Sequence, residues 1–380
     1  MQSAQRIERS QACLFGGAIG DALGAPVGAM DWPAIRGEFG ESGAQALAQA
    51  YGGLGRVTGD TQLMLFTAEG MLRGYVRIQE RDTYAPGLTI HHALIRWLTT
   101  QGMPTMVPRI DNDAGLIGDP HLHARRSPSV ACIDALSRAP AFGWQAGGTQ
   151  RGGGVMRIAP IGLFPWGDFL LYHRERAFQV ACESLRLTHA YPGDYLAAGV
   201  FAYLINGLLE TRHSLESLML RALTFMDSGA GLNFHPGVEE RRELPRSRAR
   251  IRFLLEAALD FHRRGIVPSP QGIDVLCNDR GSEELLAIGI WCALMAGNYR
   301  QGVLWAVNHS AASSTAGLIA GHLLGLRFGL EGLPPAWLEA LELRDWLDRL
   351  AHDLQWLPRV YRGHGHGAYD AELNARYPGW

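Results

Sequence analysis

Apolar residues recur three and four positions apart through most of the chain, and they hardly ever alternate with polar residues at every second position. The first spacing is typical of a helix with one buried face, whereas the second is typical of a half-buried strand. The pattern therefore predicts an all-α protein. The segments with helical spacing are Arg6–Leu23, Thr61–Arg77, Thr89–Thr99, Ser129–Arg138, Arg174–Arg186, Asp194–Thr211, Ser214–Met226, Ser247–Arg264, Ser282–Ala296, Tyr299–Val307, Ser313–Arg327 and Pro335–Leu357, the last with a break.

The composition predicts one large folded unit. Of the 380 residues, 47% are hydrophobic and 19% are charged, which supplies ample material for a core and excludes disorder for most of the chain. No stretch rich in Pro, Gly and Ser divides the sequence. We therefore predict a single domain over residues 1–361, followed by an irregular polar tail over residues 362–380.

The charge balance excludes several classes of function. The chain has 35 basic and 37 acidic side chains and a net charge of -2, whereas proteins that bind nucleic acid or anionic membranes carry a basic excess. Every basic residue is arginine, because the sequence contains no lysine. A P-loop lysine, a Schiff-base lysine and a lysine general base are therefore excluded.

The cysteines and the apolar runs predict a cytoplasmic protein. The five cysteines are widely spaced and form no C-x-x-C pair, which indicates reduced thiols rather than disulfides or a zinc site. The apolar stretch Ala12–Met30 contains Asp21, so we interpret it as a core helix rather than a signal peptide. The longest other apolar run, Leu196–Leu209, is too short to cross a bilayer.

Two segments combine glycines with an isolated acidic residue. The run Gly16–Gly24 contains Asp21, and its glycines predict close packing of one backbone against another. In Gly55–Thr61, Thr58 and Asp60 precede a helix, and this segment alone favours Asp60 as the N-cap. The alternative is a magnesium site, since hydroxyl and carboxylate oxygens are ligands that Mg²⁺ accepts.

A third segment predicts an anion-binding loop. Three glycines, Gly152, Gly153 and Gly154, are followed by Met156 and Arg157. Successive glycines allow backbone N–H groups to converge on an anion such as a diphosphate, and an arginine beside them adds positive charge. A tight turn without a ligand is the alternative.

Together these segments resemble the motifs of the ADP-ribosylglycohydrolase family, all-helical hydrolases that include the dinitrogenase-reductase-activating type, and in particular a bacterial subfamily of it. The matching segments occur in the family's order over nearly the whole chain. They are Gly20–Gly24 for G-D-A-x-G, Gly55–Thr61 for G-x-x-T-D-D-T, Gly153–Gly162 for G-G-x-M-R-x-x-P-x-G, Leu187–Pro192 for L-T-H-x-x-P, Asn308–Gly325 for the segment with G-D-S-D-[ST]-T, and Pro334–Leu338 for I-P-x-x-W-L.

The resemblance implies an orthogonal helical bundle with one central cleft. It also implies hydrolysis of the glycosidic bond between ADP-ribose and an acceptor, usually a protein side chain. Family members hold two Mg²⁺ ions with the T-D-D-T and G-D-S-D segments. The glycine loop and the histidine that corresponds to His189 lie near the diphosphate. Asp21, Gly152, Gly153, Gly154, Met156, Arg157 and His189 are thereby implied as ligand-binding residues.

The chain departs from the family at the metal ligands. Gly59 stands where the first Asp of T-D-D-T is expected, which leaves Thr58 and Asp60. In the C-terminal segment the expected ligand positions are lost at Ala312, Ser314 and Ala316. Because a pair of Mg²⁺ ions needs several carboxylates, we expect no metal cofactor, or at most one weakly bound Mg²⁺.

The sequence therefore predicts an ADP-ribosylglycohydrolase-like protein that has lost catalysis and acts by binding. Its expected partner is an ADP-ribosyltransferase toxin, which it would antagonise as an immunity protein, or an ADP-ribosylated protein, or ADP-ribose itself. The alternative is an active hydrolase with a rearranged metal site, in which Asp21, Asp60 and Asp119 supply the carboxylates. Asp119, His121 and His123 are metal-ligand types, but the sequence favours an exposed polar loop, since nothing else nearby completes a metal site.

Overall fold

The computed structural model describes residues 3–83, 85–107, 114–147, 152–166, 173–210, 213–232, 234–277, 280–310, 312–361 and 368–379. Over these residues the chain forms α-helices joined by loops and short 3-10 turns, and the described part contains no strand. The helices are α1 Ser3–Gly24, α2 Trp32–Phe39, α3 Gly59–Arg81, α4 Pro86–Thr100, α5 Val130–Arg138, α6 Ala159–Leu163, α7 His173–Leu185, α8 Pro192–Leu209, α9 Leu215–Asp227, α10 Val238–Arg263, α11 Pro270–Leu276, α12 Ser282–Met295, α13 Tyr299–Val307, α14 Ser313–Phe328, α15 Pro335–Ala340, α16 Arg344–Val360 and α17 Ala368–Arg376.

The prediction of an all-α fold is confirmed, and each segment with helical spacing contains a helix. The break expected within Pro335–Leu357 falls between α15 and α16. Four helices were not predicted from the sequence, namely α2, α6, α11 and α17. The first three have eight, five and seven residues, too few to show a helical period.

The C-terminal residues correct one prediction. An irregular tail was expected over residues 362–380, but α17 occupies Ala368–Arg376. Residues 362–367 lie outside the described part. The new helix is held against the domain by Leu373 and Tyr377, both buried, and the Tyr377 hydroxyl donates to the Asp353 carboxylate at 2.7 Å. Buried contacts of Leu373 and Tyr377 thus dock a segment whose polar sequence shows no helical period.

The centre of the molecule is the contact between α1 and α14. A Cβ atom placed on Gly20 would lie 2.0 Å from the carbonyl oxygen of Gly317, and one on Gly321 would lie 2.1 Å from that of Gly16. Glycines four residues apart on both helices therefore allow the two backbones to touch. This confirms the close packing that the glycine run predicts.

The other central helices surround this pair. Helix α14 also packs on α12 and α13, and α8 packs on α7, α9 and α10. All residues of α8 are buried, from Pro192 to Leu209, which explains its nearly continuous apolar sequence. Among the described residues no helix is both long and apolar enough to cross a membrane.

We predict that Gly321→Ala lowers the free energy of unfolding by about 3 kcal/mol or more, because the new methyl group meets backbone atoms that cannot move aside. Gly37→Ala in α2 is the matched control. Nothing lies within 4 Å of a Cβ at that position, and we expect a gain of about 0.5–1 kcal/mol there. Urea denaturation of both variants provides the measurement, and equal stabilities would contradict the proposed backbone contact.

Candidate functional site

Asp21 is the centre of a buried polar cluster that joins α1 to the start of α3. Thr58 donates to it twice, through its hydroxyl to Oδ1 and through its backbone N–H to Oδ2, both at 2.8 Å. Thr61 donates through its hydroxyl to Oδ2 at 2.6 Å and through its backbone N–H at 3.4 Å. The carboxylate is fully buried, so these donors replace the water that it would otherwise bind.

The N-cap of α3 is Thr58, whose side chain accepts from the backbone N–H of Asp60 at 3.1 Å. The prediction that Asp60 is the N-cap is therefore wrong. The Asp60 carboxylate instead extends toward α14 and accepts a 2.5 Å hydrogen bond from the Thr315 hydroxyl. The expected convergence of the Asp60 segment and the Ala312–Ala316 segment is thus found, and Thr315 makes the contact.

Burial raises the pKa of both carboxyl groups. The pKa of Asp21 rises to about 6, although the hydrogen bonds from Thr61 and Thr58 oppose the shift. The pKa of Asp60 rises to about 7, because burial is reinforced by the charge of Asp21 and opposed only by the Thr315 hydrogen bond. Both acids are therefore harder to ionise than usual at the place where the family holds cations.

At Gly59 the structure leaves no room for a side chain. A Cβ atom there would lie 2.9 Å from Cα of Pro128, and the Gly59 backbone N–H donates to the Arg126 carbonyl oxygen at 2.8 Å. The loop around Pro128 thus occupies the space that an aspartate would need. Of the other lost positions, Ala316 is fully buried, whereas Ala312 and Ser314 are half-buried at the start of α14.

The donor set does not fit two magnesium ions. Asp21 and Asp60 are the two carboxylates of the cluster, and each already accepts hydrogen bonds from threonine hydroxyls. Nowhere in the described ranges do three His, Cys, Asp or Glu side chains gather as a metal site would require. Two Mg²⁺ ions need several carboxylate oxygens, so the residues present do not hold the family's metal pair.

The glycine loop lies against His189. A Cβ atom on Gly152 would lie 2.7 Å from Nε2 of His189, and one on Gly154 would lie 2.7 Å from its Nδ1. A Cβ on Gly153 would lie 3.4 Å from Thr315, which places the loop beside the Asp60 cluster. Residues 148–151, just before these glycines, lie outside the described part.

Arg157 supports this histidine rather than facing an open cleft. The guanidinium is fully buried and donates to the Ser184 hydroxyl at 2.8 Å and to the Thr188 hydroxyl at 3.1 Å. Burial lowers the pKa of Arg157 to about 10. Burial, followed by the Arg157 charge, lowers the pKa of His189 to about 3, so this imidazole is neutral. Met156 is buried in the core beside them.

Thr188 determines which nitrogen of His189 carries the proton. Its hydroxyl oxygen accepts from Arg157 and lies 2.9 Å from His189 Nδ1, but 3.3 Å from the Leu185 carbonyl oxygen. We assign the hydroxyl hydrogen to the shorter contact, which leaves the imidazole proton on Nε2. Within the described residues Nε2 is buried without a hydrogen-bond partner and faces Gly152.

A pocket of about 340 Å³ lies beside the start of α14. Thr58 and Ser314 line it from the cluster, and Tyr51 and Ser127 line it from its rim. Both rim residues have a left-handed backbone, with φ values of 50° and 44°, and their hydroxyls lie 2.8 Å apart. Such conformations are costly outside glycine and are frequent at functional sites.

Asp119, His121 and His123 do not join the cluster. Asp119 caps its own 3-10 turn through the His121 backbone N–H at 2.9 Å and accepts from the Trp346 indole N–H at 2.7 Å. His123 Nε2 lies 2.8 Å from the carbonyl oxygen of Ile117. These residues act in local turn structure, as the polar-loop alternative proposes, and Asp119 is not brought to Asp21 and Asp60.

Sequence reasoning missed four residues of the site. Thr61 and Thr315 bind the two carboxylates, and Asp194 and Ser282 bind the glycine loop. Thr61 lies beside Asp60 in the segment Gly55–Thr61, and Thr315 lies beside Ser314 in the segment Asn308–Gly325. Asp194 follows Leu187–Pro192 by two positions and lies in the first turn of a nearly continuous apolar helix, which marks it as a polar residue needing a buried partner.

Comparisons with known proteins identify the family and the fold. The profile of the family described as ADP-ribosylglycohydrolase matches residues 2–365. An uncharacterized protein of Archaeoglobus fulgidus is 25% identical over 353 residues, which are 91% of this chain and 96% of that protein. A solved structure described as an ADP-ribosylglycohydrolase-related protein complex superposes with a TM-score of 0.62 at 21% identity, covering 93% of this chain and 99% of its own.

The fold and the cluster thus define an all-helical protein of the ADP-ribosylglycohydrolase type. The chain belongs to the ADP-ribosylglycohydrolase family.

We predict that Asp60→Asn stabilises the protein at pH 8 in EDTA by up to about 4 kcal/mol, the free energy that corresponds to the rise in the pKa of this carboxyl group. The folded-state pKa of Asp60 is raised to about 7, whereas an unfolded aspartate has a pKa of about 3.9. Between these values the folded chain binds more protons than the unfolded chain, so its free energy of unfolding falls as pH rises. An amide avoids that ionisation and still accepts from Thr315.

Urea denaturation from pH 4 to pH 8 measures the effect, which should vanish near pH 4. Asp353→Asn is the control, because that buried carboxylate accepts from Tyr377 and Arg376, and we expect its loss to destabilise the protein throughout this range. A variant Asp60→Asn that is less stable than the wild type at pH 8 would contradict the assignment.

Proposed function

We propose that this chain binds the ADP-ribosyl group without the two-metal hydrolysis of its family. The proposal rests on two groups of residues near the start of α14, which differ in their chemistry. One group, the anion-binding half, retains the glycine loop, Arg157 and His189. In the other group, hydrogen bonds from Thr58, Thr61 and Thr315 satisfy the carboxylates that a metal would need free.

The anion-binding half is supported by two buried groups that lack an opposite charge. Within the described residues the Arg157 guanidinium bonds to uncharged atoms of Ser184 and Thr188. The Nε2 hydrogen of His189 has no acceptor there. A buried unpaired donor costs free energy, and a phosphate oxygen at the glycine loop would accept from His189 Nε2 and offset that cost. The buried Arg157 charge favours the anion through space, because its N–H groups bond to Ser184 and Thr188 and not to the ligand. The diphosphate of ADP-ribose is the ligand that this half fits.

The pocket beside the carboxylate cluster fits an uncharged part of the ligand. The 340 Å³ pocket is lined by hydroxyls, by the amide of Gln49 and by small apolar residues, and its lining contains no Asp, Glu, Arg or His. Ser314 stands there in place of a carboxylate and is half-buried. The sugar hydroxyls of an ADP-ribosyl group suit such a lining, since they exchange hydrogen bonds with hydroxyls and amides.

We predict that the wild-type chain binds ADP-ribose in EDTA and that adding Mg²⁺ changes the dissociation constant less than threefold. His189→Phe should weaken binding at least tenfold, about 1.4 kcal/mol, because it removes the donor that faces the loop. The matched control is Tyr377→Phe. Tyr377 is equally buried, but its hydroxyl donates to the Asp353 carboxylate at 2.7 Å beside the C-terminal helix, so it lies neither at the loop nor in the α1–α14 contact.

Isothermal titration calorimetry provides the affinities, and release of ADP-ribose from a modified protein is assayed in parallel. Binding that requires Mg²⁺, together with metal-dependent release at enzymatic rates, would establish the alternative, an active hydrolase with a rearranged site. Absence of ADP-ribose binding under both conditions would refute the proposed function.

We further propose that the natural partner is a protein, namely an ADP-ribosyltransferase toxin that this chain antagonises as an immunity protein. Tyr51 and Leu54 lie in the loop beside the pocket, and each exposes more than a third of its side chain. Apolar side chains exposed at the mouth of a ligand site are typical of a protein interface. A partner that carries or transfers ADP-ribose would contact them while its nucleotide occupies the cleft.

We predict that equimolar wild-type chain inhibits transfer of labelled ADP-ribose by a toxin encoded beside its own gene. Leu54→Asp should reduce this inhibition while leaving the affinity for free ADP-ribose unchanged, since Leu54 is outside the pocket lining. Inhibition that remains absent at a large molar excess would exclude the immunity role and leave ADP-ribose binding as the function.

A further inference from the structure

We infer that Asp194 is a positioning residue that holds the glycine loop in the shape that binds a diphosphate. The inference rests on the proposed function for its ligand, although the geometry that suggests it is independent of any ligand. Asp194 lies in the first turn of α8, and Ser282 is the first residue of α12. Gly152 approaches both of them.

The three residues form a closed ring of hydrogen bonds. The Gly152 backbone N–H donates to Oδ2 of Asp194 at 3.2 Å, and the Ser282 backbone N–H donates to Oδ1 at 3.1 Å. The Ser282 hydroxyl completes the ring by donating to the Gly152 carbonyl oxygen at 2.6 Å. Both polar backbone groups of Gly152 are thereby fixed by residues from two different helices.

This ring is buried, and its hydrogen bonds hold a carboxylate that burial disfavours. Burial, with the Glu283 charge, raises the pKa of Asp194 to about 7, and the hydrogen bonds from Ser282 and Gly152 oppose that shift. Asp194 and Ser282 are both fully buried, so no water competes for these hydrogen bonds. An acidic side chain beside the N-terminal turns of α8 and α12 faces the positive ends of two helix dipoles. A glycine loop without such an anchor would have to be ordered by its ligand, and that ordering would reduce the affinity.

The anchor acts at the residue that faces the histidine. A Cβ atom on Gly152 would lie 2.7 Å from Nε2 of His189, and one on Gly153 would lie 3.4 Å from Thr315. A shift of Gly152 would change the spacing between the loop and the histidine donor. Both carboxylate oxygens of Asp194 accept from backbone N–H groups, so this residue acts on the ligand through the loop and not by touching it.

The test is Asp194→Asn, assayed by calorimetry with ADP-ribose. The amide nitrogen cannot accept a hydrogen bond, so one of the two backbone N–H groups loses its acceptor. We expect ADP-ribose to bind at least tenfold more weakly. Ser282→Ala, which removes the hydroxyl donor and leaves the carboxylate, should weaken binding by a smaller factor.

Asp353→Asn controls for a general loss of stability. Asp353 is also a buried, hydrogen-bonded carboxylate, but it binds Tyr377 and Arg376 at the C-terminal helix. We expect it to lower the melting temperature without changing the affinity for ADP-ribose. An Asp194→Asn variant with wild-type affinity would overturn the inference.

Amide hydrogen exchange of the ligand-free proteins separates this inference from the proposed function. We expect faster exchange of the segment around Gly152–Arg157 in Asp194→Asn, and unchanged exchange there in Asp353→Asn. If the wild type does not bind ADP-ribose, the proposed function fails, yet faster exchange would still support the anchor. Unchanged exchange in Asp194→Asn would overturn the anchor, whatever the wild type binds.

Discussion

The direct contact between the backbones of α1 and α14 is the constraint on which the site depends. Because glycines face each other along both helices, Asp21 and Thr315 come within reach of the same short segment, Thr58–Thr61. Larger residues at Gly20 or Gly317 would separate the helices and pull Asp60 away from Thr315. The polar cluster therefore depends on the close packing of two apolar, glycine-rich helices, in addition to its own hydrogen bonds.

A further carboxylate, that of Glu342, stabilises the segment that leads into the cluster. The Glu342 carboxylate, in the turn between α15 and α16, accepts from the Val57 backbone N–H at 2.6 Å and from Arg56 at 2.7 Å, and it pairs with Arg126. It thereby fixes Arg56 and Val57, which precede α3, and Arg126, whose loop covers Gly59. Side chains and loops thus stabilise the segment that carries Thr58 and Asp60.

The sequence predicts most of the fold but only part of this site. Helices of ten or more residues show their period, and glycine runs indicate helix contacts, so α1, α3 and α14 were predictable. The Thr315–Asp60 bond was not, because it depends on which side chain of a hydroxyl-rich run faces α3. The obstruction of Gly59 was not predictable either, since Pro128 reaches it from a loop 69 positions away that has no helical pattern.

The Asp60–Thr315 pair joins positions that are 255 residues apart, and this separation has a consequence for how the chain folds. Neither side of the cleft can form from one contiguous segment, so the carboxylates of α1 and α3 are synthesised long before the helix that covers them. Non-local pairings of this kind slow folding and leave apolar surface exposed meanwhile. The glycine face of α1 is such a surface until α14 has been synthesised.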